Sequence, residues 1–120
     1  MALEQWLPRS RRGGGEYNTQ NHTIPVGVDV VHVRLDVDPA DFTTSDLSVT
    51  ATVEVSTDGA QTWIHQMSIG WVGLIPEEIP GKTWTWSAQV NGISFFAGAL
   101  ARVHFSTSGT FRWGLLGELI

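Results

Sequence analysis

The stretch Leu47-Ser-Val-Thr-Ala-Thr-Val-Glu-Val55 sets the fold class. Leu47, Val49, Ala51, Val53 and Val55 alternate with Ser48, Thr50, Thr52 and Glu54. A period of two sends the two sets to opposite faces of an extended strand, one to bury and one to wet. Thr57-Asp58-Gly59-Ala60 then reads as a turn, and Gln61 to Trp71 as the return strand, with Trp63, Met67, Ile69 and Trp71 in one phase.

Working outward, the same period recurs. Val26, Val28 and Val30 alternate, the phase slips by one, and Val31, Val33, Leu35 and Val37 alternate again, as a β-bulge would require. Asp38-Pro39 ends that strand, and Asp41 to Asp46 and Pro76 to Gly81 read as loops. Trp84, Trp86, Ala88 and Val90 form the next phase, and Asn91-Gly92 signals a two-residue hairpin with Ile93 to Phe96 as its partner. Ala99, Ala101, Val103 and Phe105, a turn at Thr107-Ser108-Gly109, and Phe111, Trp113 and Leu115 complete the chain. About seven or eight short strands with turns every 8 to 12 residues or so imply an all-β fold, a single β-sandwich of jelly-roll or immunoglobulin-like type.

Ala51 to Trp63 also aligns without gaps on Ala101 to Trp113, with Ala, Val, Ser, Thr, Gly and Trp coinciding. Two readings compete. The chain holds pseudo-symmetric halves, or two hairpins converge on residues that tolerate tight turns.

With 120 residues, 42% hydrophobic and 16% charged, the chain has room for one core and a sparsely charged surface. It has no cysteine, so disulfides and Cys-based zinc sites are excluded. No apolar run approaches the roughly 18 to 20 residues of a membrane span, and no signal-peptide pattern is expected at Met1 to Arg12. Arg9, Arg11 and Arg12 precede Gly13-Gly14-Gly15, while residues 13–120 carry four basic against eleven acidic side chains. The expected organisation is therefore a flexible, basic, glycine-rich arm over residues 1–23 and a sandwich over 24–120, with Leu3, Trp6 and Leu7 as apolar anchors and Arg9, Arg11 and Arg12 pairing with a partner's acidic groups.

Candidate chemistry is sparse. Ser56 to Trp63 resembles the Asp-box of sialidase-like propellers (S-x-D-x-G-x-T-W), with Ala60 at the glycine position. That resemblance implies a well-tied turn and no glycosidase activity. Trp84 and Trp86 lie two apart on one strand, as core residues or as a platform for stacking sugars. His32, His104 and Glu54 would meet only if their strands were adjacent. That group would suit zinc, copper or iron, but a solvated or subunit-facing sheet surface is the simpler reading; Asp36, Asp38, Asp41 and Asp46 surround one loop and could offer oxygens to calcium, where ordinary surface acidity is simpler. No nucleophile elbow, phosphate loop or paired-carboxylate motif is present, so no catalytic residue, metal or cofactor is assigned. Asn21-His22-Thr23 matches a glycosylation acceptor, and three arginines beside an acidic body make a poor nucleic-acid footprint.

A small sandwich with an N-terminal arm across a glycine hinge resembles phage capsid decoration (cement) proteins and other virion components. The resemblance implies a non-enzymatic capsid or tail protein located in the virion, whose arm binds capsid or other virion subunits as a homo-oligomer or lattice-bound copy. The alternative is a carbohydrate- or receptor-binding module that uses Trp84 and Trp86.

Overall fold

The computed structural model describes residues 3–37, 48–72 and 84–120, with side chains placed for all of these except 48, 65–72 and 84–86. Among the described residues nine strands are formed: β1 (Glu4–Arg12), β2 (Gly15–Asn18), β3 (His22–Thr23), β4 (Val30–Val37), β5 (Ser48–Ser56), β6 (Ile64–Val72), β7 (Trp84–Asn91), β8 (Leu100–Thr107) and β9 (Phe111–Leu119). One sheet runs β1-β9-β4-β7; the other runs β2-β8-β5-β6, with β3 also on β8.

β2 and β3 follow one another along the same edge of β8, β2 beside His104–Thr107 and β3 beside Leu100–Ala101. Thr19 bridges the gap between them: its N–H donates to the Val103 carbonyl at 3.0 Å, and its Oγ1 accepts the Val103 N–H at 2.9 Å. The pairs β1·β9, β2/β3·β8, β4·β7 and β5·β6 are then those of one long hairpin with its tip at residues 57–63. Rolling that hairpin brings β9 against β4 and β8 against β5. This is a jelly roll, which decides between the two sandwich types the sequence left open.

The predicted alternation carries the core. Val31, Val33, Leu35 and Val37 of β4 and Val49, Ala51, Val53 and Val55 of β5 face Val103 and Phe105 of β8 and Phe111, Trp113 and Leu115 of β9, all buried. The internal echo has a geometric counterpart. Val53 pairs with Val103, its own echo partner, and Ala51 pairs with Phe105 while Val55 pairs with Ala101. A local two-fold through the Val53–Val103 pair therefore relates the two strands. The return strands break that symmetry, because β6 stays beside β5 whereas β9 crosses to the other sheet.

Three expectations are corrected. Residues 4–23 are not a free arm: β1 is an edge strand on β9, and β2 and β3 lie on β8. Their period is hidden because the β1 register shifts twice around Pro8, which has no N–H to donate. The three glycines form the corner where the chain leaves one sheet for the other, beside the parallel crossing from β8 to β9. The bulged strand expected from Val26 is a turn, with Gly27 at φ +90° and the Val28 N–H donating to the Pro25 carbonyl. The Asn91-Gly92 hairpin is not formed. Gly92 takes φ +86° as expected, but Ile93–Phe96 coils into a 3-10 turn, because β7 and β8 belong to different sheets. The Ile93 N–H donating to the Asp29 carbonyl, and the Ser94 hydroxyl donating to the Asp29 carboxylate, hold that turn.

Two glycines of β9 let β1 lie on it. A Cβ on Gly114 would meet the β1 backbone at 2.8 Å, and one on Gly117 would sit 2.2 Å from the Trp6 ring. Gly117→Ala should destabilise the fold by about 1–3 kcal/mol in urea denaturation, whereas Gly13→Ala, next to open space, should stay within roughly 0.5 kcal/mol.

Candidate interaction surface

The residues expected in a binding arm are distributed through the fold. Trp6 is in the core, 4% exposed, with its indole stacked on the His22 ring at 4.6 Å. Leu7 packs against the core, Leu3 is half-buried just before β1, and Arg9 is half-buried. Arg11 is exposed directly opposite Arg112 of β9. Arg12 turns toward the protein. Its Nη1 donates to the Trp113 carbonyl at 2.7 Å and its Nη2 to the Pro8 carbonyl at 2.6 Å, with the guanidinium 4.5 Å over the Trp113 ring. The group expected to meet a partner's acid thus meets carbonyls and aromatic rings of its own chain.

At the end of the roll where β3 closes and β4 begins, three apolar side chains are exposed: Val26, Phe95 and Ile120. Backbone hydrogen bonds tie together the segments that bear them. The Ile24 N–H donates to the Ala99 carbonyl and the Gly98 N–H to the Ile24 carbonyl, so the loop bearing Val26 is tied to the loop bearing Phe95. The N–H groups of Asp29 and Val30 both donate to the Ile120 carbonyl at 2.9 Å. Phe95 leans edge-on against Phe96 at 5.0 Å. The sequence reading missed this end because it placed 93–96 in a strand; the adjacent phenylalanines beside Gly92 were its signal, since a strand would send them to opposite faces.

The outer sheet faces carry local polar and charged pairs. His32 Nδ1 lies 3.1 Å from a Glu118 oxygen, and Arg34 grips Asp36 through Nε at 3.0 Å. On the other sheet, Arg102 donates from Nε to Glu54 at 3.1 Å and lies 3.9 Å over the Trp63 ring, while the His104 ring is flanked by Asn18 at 2.7 Å and Glu16 at 3.2 Å. His32 and His104 are on different sheets, so the His32–His104–Glu54 cluster is not assembled. Among the described residues no group of three or more His, Asp or Glu is placed to hold a metal. Of the acidic loop, Asp38, Asp41 and Asp46 lie outside the described residues.

The backbone register sets Trp84 opposite Val37 and Trp86 opposite Leu35; their side chains lie outside the described residues. Trp113 is fully buried, and Trp63 is half-buried with one face under Arg102. A crevice lined by Trp6, His22, Val31, Val53 and Val103 is too narrow for a water molecule.

The Asp-box resemblance holds as a turn. One Asp58 carboxylate oxygen accepts from the Ser56 hydroxyl at 2.8 Å and from the N–H groups of Gln61 and Thr62 at 3.1 and 2.9 Å, and the other accepts the Thr62 hydroxyl. These bonds, the Thr62 hydroxyl first, hold the Asp58 carboxyl at about 2. Ala60, at the position of the motif's glycine, has φ +72°, a left-handed conformation that its Cβ opposes.

No protein-family model matches the chain. No curated protein matches it in sequence. Among solved structures, the fold is similar to a chain in the structure of infectious bursal disease virus, Gt strain, with a TM-score of 0.48 and 13% identity. The match covers 99% of this chain and 30% of that one, so the chain spans less than a third of that polypeptide. Among the described residues no helix is long and apolar enough to cross a membrane.

Two measurements test these local assignments. Ala60→Gly should raise stability by about 0.5–1 kcal/mol by relieving the left-handed strain, seen as a higher thermal midpoint. Burial holds the His22 imidazole below its usual 6.5, with the Glu4 carboxylate opposing part of that shift. The unfolded chain then binds a proton on His22 before the folded chain does, so stability is complete above pH 6.5 and falls as pH drops below it. His22→Phe, which keeps a ring on Trp6, should flatten that slope; an unchanged slope would assign it to other groups.

Proposed function

We propose that this domain is a non-enzymatic structural component of a virion, of the capsid decoration or tail type, which works through contacts with other virion proteins and with copies of itself. The observation that carries this reading is the apolar end. Val26 and Phe95 stand on adjoining loops, 92% and 86% exposed, the most exposed large apolar side chains among the described residues, ahead of Ile120 and Ile64. Apolar groups grouped on rigid loops are what a protein partner covers.

The filled interior supports the same reading. A roll that acts on a small ligand needs a cavity, and Val33, Leu35, Val53, Phe105, Trp113 and Leu115 occupy the space between these sheets. Jelly rolls recur in viral coats and in lectins, an analogy of fold alone. The lectin version calls for tryptophans with open faces. Among those described, Trp6 and Trp113 are buried and Trp63 lies under Arg102, so none favours it.

Sedimentation velocity over roughly 1 µM to 1 mM tests the role of this end. The intact chain should self-associate, and Val26→Ser/Phe95→Ser should weaken that association by about tenfold or more with unchanged unfolding. Equal behaviour of the two proteins, or a chain that stays monomeric throughout, would remove the apolar end as the support for this role.

A further inference from the structure

We infer that β1 is an exchangeable strand, and that the slot it fills on β9 also accepts β1 from a second copy of this chain. The inference rests on the reading of the domain as a self-associating component and names a means of association separate from the apolar end.

The slot is complete without β1. The Trp6 indole lies over Gly117 of β9, stacks on His22 of β3 and lines one crevice with Val31, Val53 and Val103, all of which follow the Gly13–Gly15 corner in the chain. Trp6 from another copy would therefore meet the same walls. The corner itself is adaptable. β1 continues into β2 only through Gly13 and Gly14, and Gly15 has φ +150°, a conformation side chains oppose. A Cβ on Gly14 would stand 3.2 Å from the Ser108 backbone, so the corner is tight in the closed form. Glycines accept the straightened path as readily as the bent one.

The hold on β1 within its own chain is also imperfect. Its register shifts between Gln5 and Leu7 and again between Leu7 and Ser10. The Trp6 Nε1 and His22 Nε2 atoms are buried without a hydrogen-bond partner. Every contact β1 loses on leaving is regained on β9 of a second copy, so concentration and the strain of the corner decide which form prevails.

Cross-linking tests this directly, because the chain has no cysteine of its own. Arg11→Cys and Arg112→Cys occupy paired, exposed positions on two separate proteins. After mixing at high concentration, disulfide-linked heterodimers should form several-fold above the yield of Arg11→Cys with Glu118→Cys, which is out of register. Equal yields for the matched and mismatched pairs would overturn exchange. Deleting Gly13 and Gly14 should double the mass measured by light scattering, and a folded monomer would again count against it. Loss of these signals with the Val26/Phe95 effect intact would sink the exchange alone, and the converse result would sink only the apolar contact.

Discussion

Gly117 has no side chain, and the Trp6 indole occupies the place where one would be. That single accommodation decides how the roll closes. β9 lies between β1 and β4 in its sheet, and it must present apolar side chains inward while letting a tryptophan enter from the edge. Gly114 makes the same allowance for the β1 backbone. With both allowances, the first strand seals the open side of the last. Without them β9 would be an unpaired edge, with its ladder groups and inward face open to water or to another chain.

The other closure is symmetrical in a way the first is not. Val53 and Val103 sit across from each other where β5 meets β8, flanked by pairs that exchange under a local two-fold. The two strands are alike in sequence because they do the same work, each burying alternate small and branched residues in the middle of one sheet. Their turns have different tasks. The residues 57–63 tie off the tip of the rolled hairpin with a carboxylate that takes most of the local donors, whereas Thr107 to Phe111 must carry the chain across the sandwich. Similar strands with dissimilar returns explain why Trp113 is central to the core while Trp63 lies outside it beneath an arginine.

Much of this architecture was legible from alternation alone. The strands β4, β5, β8 and β9 follow their apolar phase, although on β5 the expected wet face is not one: Thr52, Glu54 and Ser56 are buried as well. The tied turn at Asp58 was legible from its motif, and the positive φ at Gly92 from its residue type. What was hidden had physical causes. β1 has no visible period because its pairing slips around Pro8, and glycines that look like a hinge also serve as a corner. Asn91-Gly92 suggested a hairpin because turn chemistry is local, whereas the choice of sheet for the next strand is not. The exposed Phe95 was missed because residues 93–96 read as a strand, although two adjacent phenylalanines there would have to point to opposite faces. For the interaction surface, sequence pointed to a free N-terminal arm, which the structure instead pairs into both sheets, and the reading passed over the apolar end.

The placement of Arg9, Arg11 and Arg12 within a paired strand changes what a protease can see. A peptide bond must be drawn out into an extended, unpaired form before it fits a protease cleft, and in β1 that requires lifting the strand from β9. Cleavage after these arginines is then governed by how often the edge opens, and less by their exposure. The first strand carries in its own basic residues a built-in reporter of its attachment, with digestion speeding up as the seam loosens and slowing as a partner holds it shut.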